Sequence, residues 1–184
     1  AATTPPIGTP PTATVGPTAH VSSIAGIASG CDAEQFLSIE LPLSPIVMVY
    51  ESDAGLRPYV QLAKELVVVA MEIAIQAAAE QDARCVLEIY AGALVADLES
   101  LIFSGSTTGM IYQPRIEWQE SQLEDIRVRD VATFEADVCL YQGIDVLNLQ
   151  GQQIMTYPPE LAAATYVFQR FDANSHYYVT GILE

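Results

Sequence analysis

Residues 65–76 read ELVVVAMEIAIQ, and whether this stretch is strand or helix decides the fold. Val67, Val69, Met71, Ile73, Ile75 and Ala77 fall on one face at period two. Val68, Ala70, Glu72, Ala74 and Gln76 fall on the other. Alternation with β-branched residues on one side is the pattern of a half-buried strand. The competing helix draws on the alanines at 77–79, which favour helix. The period-two reading predicts a strand over Leu66–Ala77 that ends as the alanine run begins.

Working outward, Ile46-Val47-Met48-Val49-Tyr50 reads as a short buried strand after Pro42 and Pro45, and Ser52–Gly55 as a turn. Downstream, Ala83, Leu87, Tyr90, Leu94, Leu98 and Leu101 recur every three or four residues. That is the stripe of a single helix of about 20 residues, or about 30 Å. Asp82 is placed to cap it, Arg84 and Glu88 form an i,i+4 pair, and Gly105 is the expected stop. Two further strands alternate at Tyr112–Gln119 and Thr133–Leu140, with Pro114 marking the first as an edge. The stretch Glu120–Asp130 between them reads as a charged connection. Ile144–Leu149 reads as another strand, and Tyr157-Pro158-Pro159 as its end. Thr165–Phe171 and His176–Ile182 flank a turn at Asp172–Ser175, as in a β-hairpin. The fold class expected is α+β: a small antiparallel or mixed sheet with one long helix on one face, an N-terminal arm and a C-terminal hairpin extension. The boundaries expected are 1–19 for the arm, 20–141 for the body and 142–184 for the extension.

The chain has 184 residues with 7 Lys+Arg against 23 Asp+Glu, a formal charge of −16. Phosphate contacts need clustered cations, so a nucleic-acid grip and an anionic membrane surface are both disfavoured. The apolar fraction of 51% excludes a wholly disordered chain. The first thirty residues carry no Asp, Glu, Lys or Arg, and residues 1–17, AATTPPIGTPPTATVGP, are rich in Pro and Thr. Pro blocks helix and central strand alike, which predicts an extended arm held by a neighbouring surface. Residues 20–40 carry a weak helical pattern broken by Gly26 and Gly30, read as one or two short helices. No signal peptide is visible, a start at Ala1 suits removal of Met or of a leader, and no apolar run reaches membrane-helix length.

Cys31, Cys85 and Cys139 are odd in number and widely spaced, and read as small buried side chains in a reducing compartment. Phosphate-loop, dinucleotide, nucleophile-elbow and zinc-protease motifs are all missing, and the spacing Asp125, Asp130, Asp137 does not make a calcium loop. His20 and His176 stand alone. The expectation is therefore no catalytic residue, no metal and no cofactor.

The order of the segments PIVMVY (45–50), ELVVVAMEIAIQ (65–76), QDARCVLEIYAGALVADLESLIFSG (81–105), YQPRIEWQE (112–120) and VATFEADVCLY (131–141) resembles the tail terminator proteins of long-tailed bacteriophages. Those proteins usually open with a charged helix, where this chain has an uncharged arm, and this chain adds a C-terminal extension. The resemblance implies a structural virion protein of the neck, assembled in the host cytoplasm. It implies a ring, usually a hexamer, that caps the tail tube, joins it to the head–tail connector and lets DNA pass unbound. In such a ring Pro5, Pro6, Ile7, Pro10, Pro11 and Val15 would contact neighbouring subunits, and Glu117, Glu120, Glu124 and Asp125 would face the channel. The alternatives are another neck, connector, tube or decoration subunit, and a small intracellular α+β enzyme or ligand-binding domain.

Overall fold

A computed structural model describes residues 31, 33–172 and 175–183. The arm at 1–19, with its six expected contact residues, and the pattern at 20–30 lie outside the described residues. A 3-10 turn at Ala33–Ser38 leads into four helices, α1 (Pro45–Tyr50), α2 (Arg57–Glu80), α3 (Val86–Ile89) and α4 (Ala93–Thr108). Five strands follow: β1 (Met110–Ile116), β2 (Gln122–Val128), β3 (Thr133–Asn148), β4 (Gln153–Gln169) and β5 (Tyr178–Leu183). The class is α+β, and these strands pair antiparallel in the order β1-β3-β4-β5, with β2 also on β3. β1 pairs with 142–148 and β2 with 134–139, so the two form one interrupted edge line along β3.

The decisive stretch is not a strand. It lies inside α2, a helix of 24 residues. Leu66, Val67, Val68, Val69 and Ala70 are all buried in succession. A helix enclosed on every side shows no 3.6-residue stripe, so its sequence imitates a strand. Tertiary burial overrides the weak β preference of the three valines. PIVMVY is likewise helical. Ser44 accepts a hydrogen bond from the Val47 N–H at 3.2 Å and Pro45 follows it, the cap-and-proline signature of a helix start.

The long helix expected over 82–104 is two helices. Tyr90 leaves helical geometry, makes a parallel bridge to Val179 and sends its hydroxyl to the Ala70 carbonyl at 2.7 Å. Asp82 accepts from the Arg84 N–H and pairs with the Arg84 guanidinium, which replaces the Arg84/Glu88 pair. Gly105 lies inside α4, and the stop falls at Gly109, whose φ of 71° suits a residue without Cβ.

The charged connection at Glu120–Asp130 contains β2, with Leu123 and Ile126 buried beneath its charges. β3 runs without a break from Tyr141 to Gln142, so residues 142–148 extend a body strand rather than open a separate unit. Pro158 and Pro159 lie within β4, where the register with β3 shifts between Gln142 and Ile144. A bulge accommodates two residues that cannot donate to a ladder. The hairpin of β4 and β5 and the edge position of Pro114 match the sequence reading.

The core lies between α2 and the sheet. Phe134, Ala136, Val138 and Leu140 of β3, Tyr166 and Phe168 of β4 and Val179 of β5 meet the helices. Phe134 stacks on Phe168 at 4.8 Å and takes the edges of Tyr59 and Tyr177 at 5.5 and 5.2 Å. Trp118 Nε1 donates to Glu72 at 2.7 Å, which ties α2 to the turn between β1 and β2. Cys31 and Cys85 form a disulfide across 54 residues, which corrects the expectation of unpaired thiols.

Two outcomes test this arrangement. Phe134→Ala removes the ring at the centre of the aromatic cluster and is expected to destabilise the fold by about 3–5 kcal/mol in denaturant titration. Thiol titration of the unfolded chain without reductant should find one reactive cysteine, Cys139, and three after reduction. Reduction should also lower Tm, since closing a 54-residue loop is worth up to about 4 kcal/mol in the chain-entropy account.

Candidate interaction surface

Residues that alternate with the core along β3 point to the opposite face, where charges collect. Glu135 is buried, accepting from Arg127 Nε at 3.1 Å and pairing with Arg129. Asp137 pairs with Arg127 and accepts from the Thr165 hydroxyl at 2.6 Å. The buried carboxylate is thus doubly paired, as a charge out of water must be. The hydrogen bond from Arg127 holds the Asp137 carboxyl below its ordinary range. Cys139 is next along this face, and its thiol is pushed up by burial and then by Glu124 and Asp137, which disfavours a nucleophilic thiolate.

The four expected channel acids do not form one array within the chain. Glu117 pairs with Arg115 at 3.3 Å, beside the Arg115–Asp145 pair at 3.1 Å. Glu120 is exposed in the 3-10 turn Trp118–Glu120. Glu124 lies at the bulge of β2, its carbonyl accepting from Ser44 at 2.9 Å. Asp125 accepts from the Tyr50 hydroxyl at 3.1 Å and lies 3.7 Å from Arg127. His176 Nε2 is 2.7 Å from the Glu88 carbonyl and its ring packs on Tyr178, a structural position. Among the described residues no group of three His, Cys, Asp or Glu is placed to hold a metal.

A second surface was missed from the sequence. Beyond the core, the register pairs Pro114 with Ile144 and Tyr112 with Val146 on one side of β3, and Ile144 with Tyr157 and Val146 with Met155 on the other. Directly opposed residues share a face, so these six apolar side chains form one array across three strands. Val146 at its centre is 3% exposed although it stands apart from the main core. Tyr112, Met155 and Tyr157 around it are 43, 52 and 49% exposed. Beside them an open groove of about 340 Å³ runs along Gly143, Ile144, Tyr157, Pro158 and Leu161. Gly143 is required there, because a Cβ would stand 2.9 Å from the Tyr157 carbonyl oxygen. The sequence signal for this surface is the uncharged run 146–159 in an acid-rich chain.

No protein-family profile matches the chain, and no curated protein matches it. Among solved structures, the intermembrane space region of the chloroplast protein ARC6 matches with a TM-score of 0.52. The chain shares that region's fold. The match covers 67% of this chain and 95% of that one at 14% identity, a likeness of architecture alone. No helix among the described residues is long and apolar enough to cross a membrane.

The ion cluster predicts a pH response. The lowered folded-state value of Asp137 contributes stability that is present above its unfolded value of about 4 and is lost as pH falls through the folded value. Asp137→Asn should flatten the acid limb of a stability-against-pH curve while leaving the neutral region's slope unchanged.

Proposed function

We propose that the domain is a docking module that holds a partner protein on the exposed face of β1, β3 and β4, and that it performs no catalysis. The observation that carries this reading is the array of Tyr112, Ile144, Met155 and Tyr157, all large, apolar and exposed on hydrogen-bonded strands. Contiguous apolar surface of this kind costs solubility, and proteins retain it where it meets a partner. Aromatic side chains supply large contact area at small entropy cost. The volume between α2 and the sheet is occupied by Tyr90, Phe134, Tyr166 and Phe168, all at or below 2% exposure, which leaves the surface as the place for recognition. The disulfide fits an oxidising compartment. The protein of similar fold is described as a region within an intermembrane space.

The tail-terminator reading is a separate proposal. Its support is the acidic body with an uncharged N-terminal stretch, which suits a ring beside passing DNA. Two of the five segments that carry the resemblance, PIVMVY and ELVVVAMEIAIQ, are helical where its order needs strands.

A photo-crosslinking residue at position 157, placed in the full chain in its native cells, tests the docking reading. A discrete cross-linked protein is expected, and the purified pair should lose at least tenfold in affinity with Ile144→Ser, about 1.4 kcal/mol. Unchanged affinity in that variant would refute the docking face. A closed ring of this chain alone in native mass spectrometry, cross-linked through position 157, would favour the virion proposal instead.

A further inference from the structure

We propose that the groove beside Tyr157 seats the chain's own N-terminal segment 5–11, PPIGTPP, which caps the docking face until a partner displaces it. The inference rests on the reading of that face as a docking surface. Its first support is what the groove can accept. β5 pairs with β4 only over 165–169, so among the described residues the side of β4 away from β3 carries no strand partner along 153–164. Pro158 and Pro159 carry no N–H and lie where the register of β4 shifts, so this stretch of the edge is irregular and an added strand would not form a continuous ladder there. A ligand without such a ladder is a polyproline-type segment, which packs its rings on aromatic and apolar side chains. Tyr157, Ile144, Leu161 and Pro158 offer that lining, and among the described residues along the groove Glu160 is the charged one.

The second support is charge. Residues 1–30 contain no Asp, Glu, Lys or Arg, while the chain as a whole carries −16. An acidic segment would be repelled by this body, whereas the uncharged one meets no such cost. The third is reach. Cys31 is fixed to Cys85 by the disulfide, and 20 peptide bonds separate Pro11 from Cys31. A flexible chain of that length spans about 25 Å on average and at most about 70 Å. A compact domain of this size is about 40 Å across. The segment therefore reaches the groove from its tether, at an effective concentration on the order of millimolar. A weak contact suffices at that concentration. Partner affinity is then reduced by the fraction of chains whose groove is filled.

The test is nuclear magnetic resonance of the full, disulfide-bonded chain beside a full-chain variant with Pro5, Pro6, Pro10 and Pro11 changed to Ser. Amide shifts are expected to change at 143–146 and 155–162 and nowhere else in the body. Tyr157→Ser should in turn move the amides of residues 7–9 to random-coil positions. Leu161→Ser serves as the second groove variant should Tyr157→Ser disturb the strand. Identical body spectra in the four-proline variant would overturn the inference. So would shifts that follow protein concentration together with a doubled mass in sedimentation, which would assign the groove to a second copy. If the segment proves unseated while cross-linking at position 157 persists, this inference falls and the docking reading stands. A seated segment with no partner cross-link would uphold the seating and refute the docking of a partner.

Discussion

The burial of α2 against a four-ring aromatic cluster is the constraint from which the remaining structure follows. Five successive residues, Leu66–Ala70, have no exposed side, so the sheet, α4 and the N-terminal turn must enclose the helix together. β3 and β4 are 16 and 17 residues long, and their first and last halves do different work. The halves over α2 carry Phe134, Tyr166 and Phe168 into the core. The halves beyond it pair with β1 and with each other, and their apolar residues Ile144, Val146, Met155 and Tyr157 lie outside the main core cluster.

The proposed docking role follows from that division. Large buried aromatics fill the space under the sheet, and the paired charges of Arg127, Glu135 and Asp137 hold the opposite face together. The proposed docking role rests on exposed rings on β1 and β4, a glycine that lets two strands close beside a groove, and a proline pair at an irregular strand edge. The uncharged N-terminal stretch and the acidic body are two halves of the same logic: one can lie on an apolar surface, the other keeps the molecule dispersed.

The α+β class, the edge at Pro114, the core strand at Phe134–Leu140 and the last hairpin were legible because one face of each is wet and the period survives. The buried helices were not. Val67–Val69 satisfies a strand template because a fully enclosed helix erases its own period, and only the alanine run at 77–79 argued otherwise. Ser44-Pro45 was a readable helix start that five apolar residues outweighed. β2 was hidden by charges that flank Leu123 and Ile126. The Cys31–Cys85 pairing was illegible, since spacing in sequence says nothing of two residues brought together by a 54-residue detour through a helix. The docking face depends on cross-strand register, and register has no signature in one strand alone.

The fold and the proposed docking face both depend on residues 66–77 being helical and enclosed. Backbone chemical shifts with native-state hydrogen exchange over that stretch test this most directly. Helical Cα shifts are predicted, with amides of Leu66–Ala70 exchanging only through global unfolding while those of 153–157 exchange quickly. Extended-strand shifts at 66–77, or rapid exchange at Leu66–Ala70, would contradict the fold and the surface built on it.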